Sequence, residues 1–371
     1  MPSFESLDTE IEKRGADAFV HVGDRFDDSL RYLTGFSGPD RHYAFVYDGE
    51  PLLCAPRLFE EQAHEEFSGR VIPATEQAAT TAGERAGELV SGIVLVPQEI
   101  PHDTAVWLEM AGCELESTAV VERMRVRKTE EEIERIRDVQ RAAKRGMARA
   151  ETMLASAAVE GNSLEWDGEP LTTEALRHEV NATMVREGVS DAGNTVIGAG
   201  KCCADLHFMG NVPIERGKTV LLDLSPRGPE GYYGDLSRTF VVDSDGGWER
   251  RAYIATERAQ DAAFDTLSKG AGTIASTVHE ETAAEIGAYG FRPDGVPGFT
   301  HSAGHGVGMS LHEAPSLRAD RELEAGMVLT VEPGVYDPRE GGVRIEDLVV
   351  VREEGFENLT QYPRSLDPQI R

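Results

Sequence analysis

Short apolar runs alternate with helical patterns along the first third of the chain. The runs predict strands over residues 16–22, 42–47, 51–55 and 93–96, and Asp48-Gly49 joins the second and third of them as a hairpin. Apolar residues at helical spacing predict helices over residues 58–67 and 104–111. This alternation predicts an α/β amino-terminal domain over residues 1–122.

The rest of the chain, residues 123–371, predicts pairs of helices followed by strands, twice over. Thr129 and Glu132 form the capping-box pattern of a helix start, and apolar residues continue at helical spacing to residue 154. Further helices are predicted over residues 173–187, 248–269 and 278–289, each stopped by a glycine. Residues 162–170 are predicted to form an exposed loop. The pattern predicts an α+β domain built from two similar halves.

Two glutamates stand at the edges of apolar runs near the carboxyl terminus. Glu332 follows the run 327–331, and Glu346 precedes the run 348–351. A charged side chain in such a place is rarely buried unless it is paired or bound to a metal. The two residues are symmetric about Arg339, in a turn-forming segment, so an antiparallel hairpin would place their Cβ atoms roughly 5 Å apart.

Two aspartates repeat this arrangement upstream. Asp223 and Asp235 are symmetric about Pro229, again within turn-forming residues, so a second hairpin is predicted to carry a second facing pair. If all four carboxylates meet at His305, two divalent cations would balance their negative charge. A carboxylate-rich set with one imidazole favours a hard or borderline ion, with manganese ahead of cobalt or zinc.

The contexts of these five residues resemble the pita-bread metallopeptidases (family M24), in the branch of the Xaa-Pro dipeptidases (prolidases) and Xaa-Pro aminopeptidases. The contexts are LLDLS, YYGDLSRTF, GHGVG, TVEPGVY and VRIED, and YLTGFSG at residues 32–38 resembles the amino-terminal domain of that branch. The resemblance implies a pseudo-twofold pita-bread catalytic domain, two bound metal ions, a homodimer and a proline-containing di- or oligopeptide substrate.

The resemblance also implies a role for each residue of the site. The metal ligands would be Asp223 on one ion, His305 and Glu332 on the other, and Asp235 and Glu346 bridging both. A hydroxide shared by the ions would attack the peptide bond before proline. His207 and His312 would lie at the scissile bond, and Glu332 would also carry the proton to the leaving nitrogen. His301 and Arg344 would contact the proline side of the substrate.

Several alternatives remain open. Arg344 could neutralise the neighbouring carboxylates instead of binding substrate. Residues 122–128 (ERMRVRK) could bind an anion, although a solvated linker paired with acidic neighbours is favoured. Cys202, Cys203 and His207 do not have the spacing of a common zinc site, so reduced structural thiols are favoured there.

Other side chains are assigned no chemistry. Core packing is favoured for Tyr32 and Phe36 over contact with the active site of a partner subunit. His64, His178 and His279 fall on predicted helices and are predicted to be ordinary surface histidines. A creatinase-like hydrolase or lyase, or a non-catalytic binding protein of the same fold, is the alternative function, but such proteins tend to lose metal ligands and all five are present.

The composition limits the kinds of partner and the cellular environment that the protein is expected to have. The 371 residues carry a net charge of -29, which argues against a nucleic-acid partner. Only six residues are lysine, and this acidity predicts a salt-adapted, halophilic archaeal protein in preference to a merely acidic mesophilic one. The sequence has no membrane-length apolar run, no signal-peptide pattern and no disulfide framework among its four cysteines, so a cytoplasmic location is predicted.

Overall fold

The computed structural model describes residues 2–371. The chain divides into two compact units, one up to Arg125 and one from Val126 to Arg371. Each unit encloses its own clusters of buried apolar side chains.

The first unit is a six-stranded sheet with helices around it. Its strands are β1 (Ala18–Gly23), β2 (Tyr43–Tyr47), β3 (Pro51–Cys54), β4 (Arg70–Val71), β5 (Ile93–Pro97) and β6 (Glu114–Thr118). Its helices are α1 (Glu5–Arg14), α2 (Asp28–Thr34), α3 (Glu60–Glu66), α4 (Ala82–Gly87), α5 (His102–Met110) and α6 (Val120–Val126). The strand order is β4-β3-β2-β1-β5-β6, in which β1 to β3 are antiparallel neighbours and β1, β5 and β6 are parallel.

The central strand β1 lies in the middle of the sheet, which explains why its sequence is an almost continuous apolar run. All six of its residues are buried, with Phe19 in one apolar cluster and Val20 in the other, so both faces of the sheet are covered. The α/β fold and the hairpin of β2 and β3 are confirmed. Phe36 packs in the core against Tyr43, with ring centroids 5.1 Å apart.

The second unit contains four helices and four sheets. The helices are α7 (Glu130–Ser156), α8 (Thr173–Arg186), α9 (Trp248–Leu267) and α10 (Ala275–Ala288). The strands are β7 (Ala158–Glu160), β8 (Ser163–Trp166), β9 (Glu169–Pro170), β10 (Thr195–Ala199), β11 (Thr219–Leu224), β12 (Leu236–Val241), β13 (His305–Gly306), β14 (Glu313–Ser316), β15 (Val328–Val331), β16 (Gly334–Asp337), β17 (Gly341–Arg344), β18 (Asp347–Val351) and β19 (Phe356–Asn358). They form the sheets β7-β8-β9, β10-β11-β12, β14-β13-β15-β18-β19 and β16-β17.

The two halves of this unit have the same plan. In the first half, α7 and α8 share an apolar cluster with β10, β11 and β12; in the second, α9 and α10 share one with β15, β17 and β18. The capping box of α7 is present, because Thr129 and Glu132 each accept the other's backbone N–H through their side chains. The predicted order of two helices and then strands is confirmed in the second half; in the first half, the small sheet β7-β8-β9 intervenes between α7 and α8.

The predicted loop over residues 162–170 is wrong. These residues form β8 and β9, and Leu164 is 1% exposed within the apolar cluster of the first half. Leu164 and Trp166 alternate with polar residues, and Asp167-Gly168 has the positive φ angles (56° and 79°) of a two-residue hairpin turn. The strand signal was therefore present but lay in a short, mostly polar segment.

The prediction for the basic segment 122–128, a solvated linker that pairs with acidic neighbours, is correct in part. The segment pairs with acidic neighbours, as expected: Arg123 lies 2.7 Å from Glu10. The prediction that the segment is solvated is wrong for Lys128, whose side chain is only 1% exposed. Its ammonium pairs with the carboxylate of Glu313 at 2.9 Å, which offsets the cost of burying the charge.

The hairpin around Arg339 is confirmed in its register. Val331 pairs with Asp347 in one ladder and Gly334 pairs with Arg344 in the next. Both ladders share one antiparallel register, which continues through the interruption and sets Glu332 opposite Glu346.

The register predicted for the first hairpin is wrong by two residues. Asp223 pairs with Ser237, not with Asp235. The turn is centred one residue later than predicted, because Gly228 donates its N–H to the carbonyl of Tyr232 and the tight bend at Gly231 needs a φ of 96°. An even shift leaves every side chain on its original face, so Asp235 still lies on the same side of the sheet as Asp223.

Candidate metal centre

Five strand ends bring the predicted ligands together. Asp235, His305 and Glu346 each offer a ligand atom, and these atoms all lie within 4.8 Å of one another. His305 Nε2 lies 3.6 Å from a carboxylate oxygen of Glu332 and 3.9 Å from one of Asp235. Asp223, on β11, lies close enough for its charge to raise the pKa of Asp235 and Glu346.

The carboxylates repel one another in a buried place. Asp235 is 4% and Glu346 is 2% exposed. Burial and then the charge of Glu346 raise the pKa of both Asp235 and Glu332 well above the ordinary values. Burial and then the charge of Asp223 raise the pKa of Glu346 to about 7. The protein alone therefore opposes full ionisation of this cluster near neutral pH, and cations would favour it.

The donor atoms suit divalent cations. Asp223 Oδ1 is buried and accepts no hydrogen bond from the described residues, which leaves a lone pair for a metal. His305 donates through Nδ1 to the carbonyl of Gly306 at 3.0 Å, so its unprotonated Nε2 faces the carboxylates. Burial lowers the pKa of His305 to about 4, so the ring is neutral, as a ligand must be. The five residues fit a pair of metal ions.

Two serines orient the carboxylates and were not predicted from the sequence. Ser237 donates to Glu346 Oε2 at 2.6 Å, and Ser225 donates to Asp235 Oδ1 at 3.0 Å. Each serine stands two residues beyond a predicted ligand, and therefore on the same face of its strand. That spacing was the signal in the sequence.

Thr330 does the same on the other hairpin. It lies two residues before Glu332, to which its hydroxyl donates at 3.4 Å, and it accepts the backbone N–H of His305 at 3.0 Å. One threonine therefore ties together two predicted ligands of the same metal.

Two buried glutamines hold the backbone of the site. Gln140, on α7, donates to the carbonyl of Asp235 at 2.7 Å and accepts its N–H at 2.8 Å. Gln260, on α9, donates to the carbonyls of Val331 and Ile345 at 3.1 and 3.5 Å, next to Glu332 and Glu346, the two predicted glutamate ligands. Both glutamines are 0% exposed.

Arg344 is a buried counter-charge to Asp223. Its Nη2 donates to Asp223 Oδ2 at 2.6 Å, its Nε to Ser237 at 2.8 Å and its Nη1 to the hydroxyl of Tyr336 at 3.2 Å. The residue is 5% exposed, and each of its three side-chain nitrogens has a partner. This arrangement supports the counter-charge alternative for Arg344.

His301 is placed beside the site with both ring nitrogens engaged. Nδ1 donates to the carbonyl of Ser302 at 2.7 Å, so Nε2 accepts the hydroxyl of Tyr336 at 2.9 Å. Burial, followed by the charge of Arg344, lowers the pKa of His301 to about 3, so the ring is neutral. Phe299 packs edge-on against it, with centroids 5.1 Å apart. His301 therefore has only its ring surface left for a substrate.

His312 and His207 lie on the exposed side of the cluster. The ring of His312 lies 4.3 Å from that of His305, and both His312 and His207 are exposed. Burial of part of the ring, and the nearby charge of His207, lower the pKa of His312. The structure thus brings both histidines to the mouth of the site.

His279 is not an ordinary surface histidine, so that prediction is wrong. Its ring is half-buried, and Nδ1 accepts the backbone N–H of Ala303 at 3.2 Å, between His301 and His305. Burial, and then the charge of Arg318, lower its pKa. His64 and His178 are exposed, as predicted.

Cys203 is a buried thiol and lies away from any cluster of metal donors in residues 2–371. Its Sγ lies 3.3 Å from the carbonyl of Thr219, to which it donates, and burial raises the pKa of the thiol to about 11. No helix within the described part of the chain is both long and apolar enough to cross a membrane.

The cluster of carboxylates and one imidazole, on two similar half-domains, is a candidate site for metal ions. The chain belongs to metallopeptidase family M24, whose profile matches residues 134–353, and the creatinase/prolidase amino-terminal domain matches residues 4–139.

Named relatives match parts of this chain in sequence, and a solved structure matches nearly all of it. The chain is 30% identical over 255 residues to the probable dipeptidase PepE of Mycobacterium tuberculosis, covering 67% of this chain and 62% of that protein. It is 37% identical over 178 residues to the Xaa-Pro dipeptidase of Pyrococcus furiosus, covering 47% and 49%. The match therefore spans less than two thirds of either relative's length. The structure is similar to the prolidase of Pyrococcus horikoshii, with a TM-score of 0.84, 26% identity and coverage of 98% and 99%.

Proposed function

We propose that this chain is a two-metal exopeptidase that hydrolyses the peptide bond before proline, as an Xaa-Pro dipeptidase or aminopeptidase. The observation that carries the proposal is the buried five-residue cluster, in which Asp223 Oδ1 lacks a partner and Glu346 has a raised pKa. Relatives named Xaa-Pro dipeptidase and prolidase supply the substrate class.

The metal ions would be held by Asp223, Asp235, His305, Glu332 and Glu346. Asp235 and Glu346 are the best candidates to be shared, because they lie with His305 in the closest group of ligand atoms. When bound, two divalent cations supply a deprotonated water near neutral pH and polarise a carbonyl oxygen.

The protein would supply the remaining steps of hydrolysis. When the C–N bond breaks, the proline nitrogen can leave as an amine only if it receives a proton, and in the peptide bond it carries no hydrogen of its own. Glu332 would carry this proton, as the family resemblance implies, and its carboxylate lies within the site, 3.6 Å from His305 Nε2. His312 and His207, at the mouth of the site, would donate hydrogen bonds to the carbonyl oxygen as negative charge develops there.

The proline ring would pack on the exposed part of the His301 ring, which is held between the buried rings of Phe299 and Tyr336. Their rings lie 5.1 and 5.5 Å apart across His301, and the hydrogen bonds of His301 and Tyr336 fix both rings in place. Arg344 would act behind this surface by holding Asp223, although it was assigned to substrate from the family resemblance.

The setting of the enzyme is also proposed. The oxygen-rich donor set favours manganese over cobalt or zinc. The four free cysteines fit a reducing, cytoplasmic compartment. The net charge of -29 supports salt adaptation and opposes a nucleic-acid partner. A homodimer is proposed from the family resemblance.

The test compares peptides on metal-replenished protein in high salt. Hydrolysis of Xaa-Pro, Xaa-Pro-Xaa and Xaa-Ala peptides is measured beside metal content, with Asp235→Asn as the control that should hold neither metals nor activity. Cleavage of Xaa-Pro alone identifies a dipeptidase, and cleavage of Xaa-Pro-Xaa identifies an aminopeptidase. Fully metal-loaded protein that cleaves no peptide would favour a creatinase-like enzyme or a binding protein and end the proposal.

A further inference from the structure

The side chain of Lys128 is buried although it is one of only six lysines in the chain. Its ammonium lies 2.9 Å from Glu313 Oε2, and the two side chains are 1% and 6% exposed. Removing two charges from water is costly, and the cost is recovered only if each keeps its partner. The pair therefore holds together the two backbone segments to which Lys128 and Glu313 belong.

One end of the pair is fixed to the central sheet of the second half. The backbone N–H of Lys128 donates to the carbonyl of Gly326 at 2.8 Å, and the preceding residue bridges to Met327. These contacts adjoin β15, which leads to Glu332. The ammonium of Lys128 thus extends from a backbone segment that is bonded next to β15, the strand that leads to the predicted ligand Glu332.

The other end closes the loop that carries His312. Glu313 Oε1 accepts the backbone N–H of Ser310 at 2.9 Å, so the carboxylate folds back over the loop from 308 to 313. Gly308 makes room for it, since a Cβ atom at that position would lie 2.6 Å from Glu313 Oε2. The carboxylate therefore connects the loop to Lys128.

The ring of His312 depends on this loop for its position. No group among residues 2–371 hydrogen bonds to the ring, and its closest ring contact is with His305 at 4.3 Å. Its neighbour in the chain, Glu313, is buried and fixed, so the backbone at 313 determines where the imidazole stands.

We propose that Lys128 is a positioning residue for peptide hydrolysis, which acts through Glu313 to hold His312 over the metal ligands. This inference rests on the proposed function of His312 at the scissile bond. A displacement of about 1 Å in a catalytic group can cost roughly 100-fold in rate, so the pair matters to catalysis beyond its contribution to folding.

A double-mutant cycle between Lys128→Met and His312→Ala tests the coupling. Alone, Lys128→Met should lower kcat for an Xaa-Pro dipeptide by about tenfold or more, with KM changed by less than about threefold and the metal content unchanged. With His312 already replaced by alanine, the same change should cost less than about threefold. Equal losses in both backgrounds would show that Lys128 does not act through His312.

Three further variants separate positioning from stability. Lys128→Met/Glu313→Gln should regain most of the lost kcat, because the neutral amide still accepts the N–H of Ser310 and leaves no unpaired charge. Gly308→Ala should lower kcat as Lys128→Met does, since its methyl displaces the carboxylate. Glu151→Gln removes the charge of a fully buried glutamate that pairs with the partly exposed Arg371, and should lower Tm while kcat stays unchanged.

A crystal structure of Lys128→Met gives a measure that needs no activity. The distance between the ring centroids of His305 and His312 should differ by about 1 Å or more from its value in the unaltered protein. Unmoved rings, or a normal kcat with a lowered Tm, would make the pair a stabiliser only and overturn the inference. If the unaltered protein cleaves no Xaa-Pro peptide, the proposed function fails, and the ring separation still decides whether Lys128 positions His312.

Discussion

Replacing Gln140 by leucine should weaken the second unit by disturbing the backbone of Asp235. Leucine fills a similar volume but cannot donate to the carbonyl of Asp235 or accept its N–H, bonds that now measure 2.7 and 2.8 Å. Gln140 is 0% exposed, so water cannot readily replace it. Each buried polar group left without a partner costs about 1–3 kcal/mol.

The net loss of stability is smaller than the sum of the costs of leaving both the carbonyl and the N–H of Asp235 without a partner. Thr360, the third partner of Gln140, keeps its bond from the backbone N–H of Leu348, and the leucine side chain gains some apolar burial. We expect Gln140→Leu to lower the free energy of unfolding by about 2–4 kcal/mol. That is a large part of the roughly 5–15 kcal/mol that stabilises a domain.

Gln260→Leu is the matched control in the other half. Gln260 donates to two carbonyls at 3.1 and 3.5 Å and accepts from Arg364 Nη1 at 3.2 Å. When Gln260 is replaced, Arg364 Nη1 keeps its bond to Asp261 at 2.8 Å, and no backbone N–H loses its acceptor. The expected cost is therefore smaller, about 1–2 kcal/mol. The comparison keeps the chemical change the same and alters only the contacts it breaks.

Denaturant unfolding of the metal-free variants in high salt measures both costs, and titration with Mn²⁺ measures what they do to the site. Gln140→Leu should bind metal about tenfold more weakly, because Asp235 loses the contacts that orient it. An unfolding midpoint no lower than that of Gln260→Leu, together with unaltered metal binding, would refute the claim that Gln140 holds Asp235.

Four other outcomes follow from the same structure. Asp235→Asn should lose metal and peptidase activity together, as elemental analysis and a peptide assay would show; full activity without metal would refute the mechanism. Arg344→Met should weaken metal binding by roughly 10- to 100-fold, because Asp223 loses the donor that orients it. Normal metal binding with a tenfold lower kcat/KM for Xaa-Pro would instead place Arg344 on the substrate. The Tm should rise from dilute buffer to molar KCl, where the Debye length falls to about 3 Å, and a flat or falling Tm would contradict salt adaptation. Burial lowers the pKa of His279, so the stability due to its neutral ring is present above its ordinary pKa of 6.5 and lost as the pH falls through the folded value. His279→Gln keeps an acceptor for Ala303 without titrating and should therefore lose less Tm than the unaltered protein between about pH 7 and about pH 5.

The predicted metal ligands were accessible to sequence reasoning because each contradicts its surroundings. Glu332 and Glu346 interrupt apolar strands, and the turn between them has one clear centre, at Arg339. A charge in an apolar strand needs a local explanation, so sequence alone suffices to single it out. The structure then places Glu346 within the closest group of ligand atoms.

The register of the other hairpin could not be predicted in the same way. Residues 226–231 contain two prolines and two glycines, so several turn centres are compatible with them. A shift of two residues leaves the alternation of apolar and polar positions unchanged, and periodicity cannot detect it. The contact of Asp223 with Ser237 depends on the actual bend at Gly231, which only the folded backbone determines.

The hydrogen-bond partners of buried polar residues could not be predicted from the sequence either. Gln140 lies at helical spacing from Ile133, Ile136 and Ala143, so a polar residue on the buried face of α7 was visible. Its partner, Asp235, is 95 residues away along the chain. Nothing local to either residue specifies that contact, which is set by how α7 packs on β12.

The residues proposed to bind metal and those proposed to contact the peptide differ in how exposed they are. A buried glutamine on the first helix of each half fixes the backbone beside the carboxylates, so the ligands are held by helix and sheet together. His207 and His312 instead stand on exposed segments outside the regular strands. We expect changes in those segments to alter the fit of a peptide while the predicted ligand set is retained. Substrate preference and metal retention are therefore separable properties of this fold, and each has to be measured by itself.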